Sequence, residues 1–98
     1  MQKNVEEFLN KYNLRTNPEV RFIDVASEIG ELGKELLKGS NYGKKCYENS
    51  VELKNEIGDC MFSLLAFCCE TGIDAEEALK GALAKYEKRF SAKGNIGS

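Results

Sequence analysis

The sequence is 98 residues long, which fits one domain with a modest core, and we expect residues 1–98 to form that domain. Hydrophobic residues make up 42% and charged residues 31%, with one proline and no tryptophan, a composition typical of a folded, helix-rich protein and not of a disordered chain. The formal net charge of −2 lacks the basic excess that phosphate-backbone binding needs, so DNA and RNA polymers are poor candidate partners.

The N-terminal part of the chain predicts two helices. The first covers about residues 2–13, where apolar residues recur with a helical period. The second begins at Asn17-Pro18-Glu19, which offers an N-cap, a proline at the first helical position and an early acid. It ends near Gly39. A loop rich in Gly, Asn, Ser and Tyr follows from Gly39 to Ser50.

The C-terminal half predicts two further helices. Ser50 is a candidate cap for a third helix that runs to Thr71 and stops at Gly72. Asp74, with Glu77 three residues later, forms a capping-box pattern for a fourth helix that ends near Ala92 or Gly94. We expect a flexible tail over about residues 93–98. No stretch alternates convincingly with period two, so the pattern predicts an all-α four-helix bundle.

Apolar residues of helices two and three form arcs, with acidic residues along the border of each arc. The border acids are Asp24, Glu28, Glu31 and Glu35 on helix two and Glu52, Glu56 and Asp59 on helix three. On helix two the arc contains Phe22, Val25, Ile29, Leu32 and Leu36. On helix three it contains Leu53, Ile57, Cys60, Leu64, Phe67 and Cys68. Between Cys60 and Cys69 the third helix is apolar nearly all round, which a lone domain of this size cannot easily cover. This favours a homo-oligomer built through the third helix.

Two acidic pairs share the same spacing of three residues, Glu28 with Glu31 and Glu56 with Asp59. Residues three apart lie on one face of a helix, so each pair presents two carboxylates together. Packing the two helices would bring four negative charges close to one another, which is unfavourable unless a cation binds. Oxygen ligands of this kind suit Mg²⁺. Each pair alone is more often a solvated helix surface, so the indication comes from the two together.

The chain contains no histidine, which excludes a Glu-x-x-His di-iron site and an imidazole base. Water activated by the metal ion is then the expected nucleophile. Lys85 and Arg89 lie four residues apart on the fourth helix and border its apolar stripe, where cations can reach phosphate oxygens. A salt-bridging surface pair is an equally good interpretation of these two alone. Lys80 and Lys88 point to solvent.

These residues together resemble the MazG-like branch of the all-α nucleotide pyrophosphohydrolase superfamily. The resemblance covers about residues 20–91, with the two acidic pairs on neighbouring helices and Lys85-x-x-x-Arg89 on a third. It implies that the chain cleaves a nucleoside triphosphate between the α and β phosphates, giving a nucleoside monophosphate and pyrophosphate. It also implies an assembly as a homodimer or homotetramer.

Site residues follow from the same resemblance. The implied catalytic and metal-binding residues are Glu28, Glu31, Glu56 and Asp59, with Mg²⁺ as the ion and Mn²⁺ as a substitute. Lys85 and Arg89 match the phosphate-contacting positions, and Lys54 is a further nucleotide contact.

Two alternatives stay open. The site can act on another nucleotide, such as phosphoribosyl-ATP or a modified nucleotide. Otherwise the chain is a non-enzymatic binding or assembly module whose acids are solvated or pair with Lys34, Lys38 and Lys54.

The cysteines and the N-terminus bear on the cellular compartment. The four cysteines lack paired CxxC spacing, so we expect buried, reduced thiols instead of disulfides or a zinc site. The N-terminus carries no basic leader followed by an apolar run, and no stretch reaches the roughly 18 apolar residues of a membrane span. We therefore expect a cytoplasmic protein without a membrane partner.

Overall fold

The computed structural model describes residues 1–93, and for Lys93 the backbone alone. It contains four helices in chain order: α1 (Gln2–Lys11), α2 (Pro18–Gly39), α3 (Leu53–Thr71) and α4 (Ala75–Lys93). No strand occurs within residues 1–93. The predicted all-α fold of four helices is confirmed. The predicted tail falls mainly on residues 94–98, which lie outside the described residues.

Helix ends with strong local signals lie where the sequence places them. The Asn17 side chain accepts a hydrogen bond from the Val20 N–H at 2.9 Å, so it caps α2 as predicted. Gly72 ends α3 with φ +70°, a left-handed conformation that glycine adopts without strain. At the start of α4, Asp74 Oδ1 accepts from the Glu77 N–H at 3.1 Å. These caps satisfy backbone groups that have no partner within the helix.

Two boundaries differ from the prediction. The first helix ends at Lys11 instead of residue 13, because Asn13 takes a left-handed φ of +54°. The third helix begins at Leu53, three residues after Ser50. The Ser50 hydroxyl still accepts the Leu53 N–H at 3.1 Å, but it does so from a turn that precedes the helix.

Helices α2 and α3 form an antiparallel pair, and α1 packs on α3. The direction of the pair follows from its contacts, since Arg21 meets Glu70 near one end and Glu28 meets Cys60 further along. The core between α1 and α3 consists of Leu9, Ala66 and Cys69, with Val5 and Phe62 packed against it. Helix α4 makes little contact with the other three helices.

The predicted core arcs of α2 and α3 are only partly buried. Phe22, Ile29 and Leu36 are exposed on α2, and so are Ile57 and Leu64 on α3. Helix α2 instead turns its acidic border towards α3, because Glu35 is buried and Glu28 is half-buried. The prediction that these five apolar residues belong to the core is therefore wrong within one chain, and the acids take their place at the α2–α3 contact.

An ion pair between the exposed Arg15 and the buried carboxylate of Glu70 joins the α1–α2 connection to the end of α3. The Glu70 side chain is 4% exposed and accepts from Arg15 Nε at 2.9 Å and from the Thr16 N–H at 2.8 Å. Arg21 Nε lies 3.6 Å from the same carboxylate. Burial alone raises the pKa of Glu70, but these hydrogen bonds and the Arg15 charge outweigh it and lower that pKa. The contact fixes where α2 begins relative to α3.

The α2–α3 loop folds back on the end of α2. The Glu48 N–H donates to the Gly39 carbonyl at 3.0 Å, and the Tyr47 ring lies against Gly39. Asn41, Tyr42 and Gly43 take successive left-handed φ angles of +47°, +59° and +86°. Gly39 is the position where the loop approaches closest, since an added Cβ would lie 2.5 Å from the Tyr47 ring.

All four cysteines are free thiols, as predicted. Cys69 is buried and Cys60 and Cys68 are half-buried, but Cys46 is exposed in the loop, so the prediction of a buried thiol is wrong there. Across the described residues, every helix is too short or too polar to cross a membrane.

Candidate metal and active site

The contact between α2 and α3 brings the two acidic pairs together. The Cys60 thiol on α3 donates a hydrogen bond to the Glu28 carbonyl on α2 at a distance of 3.3 Å. A small side chain at this point allows the helices to approach closely. Glu56 lies one helical turn before Cys60, and Asp59 lies immediately before it. Both acids are therefore on the stretch of α3 that meets Glu28.

Three of the four predicted carboxylates form a compact group. Glu28, Glu56 and Asp59 can each offer one oxygen such that these oxygens all lie within 4.8 Å of one another. Glu28 and Glu56 are half-buried and Asp59 is exposed, so the group opens to solvent on one side. Oxygen donors at this separation fit a hard divalent cation.

Glu31 lies beside this group but is not a member of it. Its carboxylate is half-exposed and pairs with Lys34 Nζ at 3.7 Å along the same helix. An exposed pair of this kind contributes little to stability and exchanges readily with solvent. Glu31, the fourth predicted ligand, therefore lies close to the site, and its ion pair with Lys34 competes only weakly with another partner.

The site is electrostatically unfavourable without a cation. Desolvation raises the pKa of Glu56, and the negative charges of Asp59, Glu28, Glu31 and Glu35 raise it further, in that order. The pKa of the neighbouring Cys60 thiol is also raised, first by burial and then by the charges of Glu28, Glu56 and Asp59. Cys60 is thus held as the protonated donor that its hydrogen bond to Glu28 requires.

Glu35 is a site residue that the sequence reasoning placed on the acidic border without giving it a role. Its side chain is 10% exposed, it pairs with Lys38 Nζ at 3.9 Å, and its charge acts on Glu56. The spacing in the sequence could have identified Glu35 as a site residue. It follows Glu31 by four residues and Glu28 by seven, so it shares their face of α2. Its burial extends the negative region along α2 beyond the three-carboxylate group.

The predicted phosphate-binding cations are not gathered at the acids. Lys54 lies in the first turn of α3 with an exposed side chain, beside a shallow groove that also contains Leu53 and Ile57. Lys85 is exposed on α4, with its Nζ 4.9 Å from the centre of the Tyr86 ring. Arg89 is half-buried one turn further on. Because α4 makes little contact with α2 and α3, the structure of one chain does not join these cations to the carboxylates.

Gly30 and Gly58 lie between the members of the acidic pairs. Glycine inside a helix costs roughly 1 kcal/mol relative to alanine, so its presence at two such positions indicates either a close helix contact or room for a ligand. A Cβ added at either glycine would meet no atom within 4 Å. The close-contact interpretation is therefore wrong within one chain, and Gly58 borders a groove that it shares with Val5 and Phe62.

The chain was compared with known protein families, curated proteins and solved structures. The chain matches the model of the MazG nucleotide pyrophosphohydrolase domain over residues 18–92. It matches none of the curated proteins and none of the solved structures at a significant level. The family match spans α2, the loop, α3 and nearly all of α4, and it includes every predicted site residue. The chain belongs to the MazG nucleotide pyrophosphohydrolase family.

Proposed function

From this membership of the MazG family, we propose that the protein is a Mg²⁺-dependent nucleoside triphosphate pyrophosphohydrolase. Its substrates are NTPs or dNTPs, and it cleaves the α–β phosphoanhydride to give a nucleoside monophosphate and pyrophosphate. The observation that carries this proposal is the group of three carboxylates, Glu28, Glu56 and Asp59, within the matched residues. The family is generally dependent on divalent metal ions, and this donor set suits one.

The residues that hold the ion are Glu28, Glu56 and Asp59, with Glu31 as the fourth ligand. The donors are all carboxylate oxygens, and a cation would offset both the desolvation that raises the pKa of Glu56 and the neighbouring negative charges that raise it further. Glu31 would add a fourth carboxylate, since its exposed pair with Lys34 is a weak competitor. When bound, Mg²⁺ supplies charge neutralisation of the triphosphate and lowers the pKa of bound water; Mn²⁺ supplies the same chemistry.

The chain's own residues handle the proton and the phosphate charge. Since no histidine is present, a carboxylate of the site accepts the proton as water attacks phosphorus and the anhydride oxygen leaves with pyrophosphate. Lys85 and Arg89 stabilise negative charge on the phosphate oxygens, and arginine can do so with two parallel hydrogen bonds. Lys54 is a further contact for the nucleotide.

We propose that the protein acts as a homodimer or homotetramer on a free nucleotide, and not on a nucleic acid polymer or a membrane. The exposed apolar residues of α2 and α3 support the assembly, since they exceed what a monomer normally leaves uncovered. The net charge of −2 and the acidic site support the preference for a metal-bound nucleotide over a polyanionic polymer.

Product analysis tests this proposal. The protein is incubated with Mg²⁺ and a panel of canonical and modified NTPs and dNTPs, and the products are separated by chromatography. We expect monophosphate and pyrophosphate in equal amounts and complete loss of both in EDTA. A diphosphate with inorganic phosphate, or turnover that survives EDTA, would overturn the proposal.

Two other functions are separated by the same experiment. Turnover of phosphoribosyl-ATP alone would assign a different nucleotide to the same site. A non-enzymatic assembly module is favoured by the two pairs Glu31–Lys34 and Glu35–Lys38, which neutralise part of the acidic surface without metal. That function predicts no turnover of any nucleotide and no effect of Mg²⁺ on stability.

A further inference from the structure

Ser63 is a buried polar residue in an apolar part of α3. Its exposed fraction is 7%, and it is the single polar residue in the run from Cys60 to Cys69. Its hydroxyl makes no hydrogen bond to any other residue within 1–93. A buried hydroxyl without a partner loses its hydration and receives nothing in exchange, so it lowers the stability of the fold.

The helix itself does not satisfy this hydroxyl. Serine and threonine inside helices commonly bond back to a carbonyl three or four residues earlier. Thr71, on the same helix, does so, because its Oγ1 donates to the Phe67 and Cys68 carbonyls, both at 3.1 Å. Ser63 forms no such bond within the described part of the chain. Its hydroxyl therefore remains able to bond a group outside α3.

The need for a small residue does not explain a serine here. Helices α2 and α3 approach closely one turn earlier, where the Cys60 thiol bonds the Glu28 carbonyl. Alanine would fit the same contact, has a better helix propensity and leaves no polar group unpaired. The hydroxyl of Ser63 is thus unfavourable for the fold alone, which indicates a role beyond packing.

Ser63 lies on the stripe of α3 that contacts α2. Cys60 meets Glu28 at one point of this stripe. Phe67 meets Phe22 further along, with the ring centres 6.4 Å apart. Ser63 follows Cys60 by three residues and precedes Phe67 by four, so it shares their face of the helix. Its burial between these two contacts places it against α2.

The same geometry directs Ser63 towards the acidic group. A helical side chain leans over the turn that precedes it, so Ser63 leans towards Asp59 and Cys60. On α2 the Glu28 side chain likewise leans over the turn before Glu28. Because α2 and α3 are antiparallel, that turn lies opposite Ser63. The hydroxyl and the Glu28 carboxylate therefore lean into the same part of the helix contact.

We propose that Ser63 is a positioning residue of the metal site, whose hydroxyl donates a hydrogen bond to the Glu28 carboxylate when a divalent cation is bound. One Glu28 oxygen then accepts this bond while the other faces the cation. Glu28 is half-buried and flexible, so a fixed donor holds its carboxylate in the orientation that the ion requires. This inference rests on the proposed function, since it takes the acidic group as the metal site.

Two measurements on the same variants test this role, thermal unfolding without metal and calorimetric titration with Mg²⁺ alone. Ser63→Ala should melt about 4–8 °C higher than the wild type, because it removes an unpaired buried hydroxyl. It should nevertheless bind Mg²⁺ about ten-fold more weakly. Ser63→Thr keeps the hydroxyl and should bind more tightly than Ser63→Ala. Ser27→Ala, at the exposed position directly before Glu28, is the matched control and should keep the wild-type affinity.

Either measurement can overturn the role. Equal Mg²⁺ affinity in Ser63→Ala and the wild type would mean that the hydroxyl does not orient Glu28. A lower melting temperature in Ser63→Ala, with circular dichroism unchanged, would mean that the hydroxyl already stabilises the metal-free fold. A wild type that binds no Mg²⁺ would overturn the metal site and this role together.

Nucleotide turnover, measured alongside, separates this inference from the proposed function. In an active enzyme, Ser63→Ala should need about ten times more Mg²⁺ for half-maximal turnover and should approach the wild-type rate at saturating Mg²⁺. A role in folding alone would not move this requirement. A wild type that binds Mg²⁺ but hydrolyses no nucleotide would count against the proposed function, while the calorimetric comparison would still decide the role of Ser63.

Discussion

The Cys60 thiol donates to the Glu28 carbonyl at 3.3 Å, and this contact lies where the two helices that carry the acidic group meet. Cys60 follows Asp59 directly and lies one turn after Glu56, so its side-chain volume controls how closely three carboxylates approach. Cys60, an uncharged residue, thereby influences the distances between the three carboxylates.

Enlarging Cys60 should separate the acids. Cys60→Leu adds volume at the helix contact, which typically lowers the free energy of unfolding by about 1–3 kcal/mol. We expect weaker Mg²⁺ binding as well, because the carboxylate oxygens move apart. Calorimetric titration with Mg²⁺ measures this, with Cys60→Ala as the control that keeps the close approach. Equal Mg²⁺ affinity in the Leu and Ala variants would contradict the positioning role.

Mg²⁺ should stabilise the fold by relieving repulsion at Glu56. An ion present at ten times its dissociation constant adds about 1.4 kcal/mol to the free energy of unfolding. For a domain of this size that corresponds to a rise in melting temperature of roughly 6–11 °C. Glu56→Gln should melt higher than the wild type without metal and show little further rise with Mg²⁺. A wild type whose melting temperature is unchanged in millimolar Mg²⁺ would contradict the metal site.

The Glu70 ion pair predicts how stability depends on pH. The pKa of Glu70 is lowered in the folded chain, so its ionised form stabilises the fold above the ordinary glutamate pKa of about 4.3. That contribution is lost as the pH falls below this value towards the lowered pKa. We expect Glu70→Gln to reduce the free energy of unfolding by about 1–3 kcal/mol at pH 7. The deficit should shrink by pH 3.

Urea unfolding at several pH values measures this difference. Glu7→Gln, at an exposed position on α1, is the control and should follow the wild type at every pH. If the Glu70→Gln deficit stays constant from pH 7 to pH 3, the ion pair does not lower the pKa of Glu70.

Two glycines of α2 should respond in opposite directions to the same substitution. Gly39→Ala places a Cβ 2.6 Å from the Glu48 carbonyl oxygen, which is backbone and cannot move aside easily. We expect this substitution to lower the free energy of unfolding by about 1–3 kcal/mol. The Cβ added by Gly33→Ala meets no atom within 4 Å. This substitution should raise the free energy of unfolding by about 0.5–1 kcal/mol, because alanine has the better helix propensity. Thermal unfolding of the pair checks the loop contact, and equal effects would contradict it.

Local features of the fold were predictable from sequence because their causes are local. Asn17 and Gly72 signal helix ends through their own backbone and side-chain preferences, and both lie where predicted. The spacing of Glu28, Glu56 and Asp59 was sufficient to predict that they meet, once α2 and α3 pack antiparallel.

Features that depend on distant contacts were not predictable from the pattern. Arg15 and Glu70 are 55 residues apart, and no local spacing connects them. Periodicity also cannot decide which of two neighbouring stripes on α2 faces α3, so Phe22, Ile29 and Leu36 were placed in a core that one chain does not form. The inward position of Glu35 has the same cause.

Turnover by wild type, Glu56→Gln and Glu52→Gln, measured together with the same nucleoside triphosphate and Mg²⁺, tests whether the acidic group is the catalytic metal site. Each substitution removes one negative charge without changing the side-chain volume. Glu56 belongs to the acidic group, whereas Glu52, the N-cap of α3, lies outside it and accepts a hydrogen bond from the Asn55 side chain. We expect complete loss of turnover in Glu56→Gln, with its circular dichroism unchanged, and near wild-type turnover in Glu52→Gln. Near wild-type turnover in Glu56→Gln would contradict the assignment of this group as the catalytic metal site.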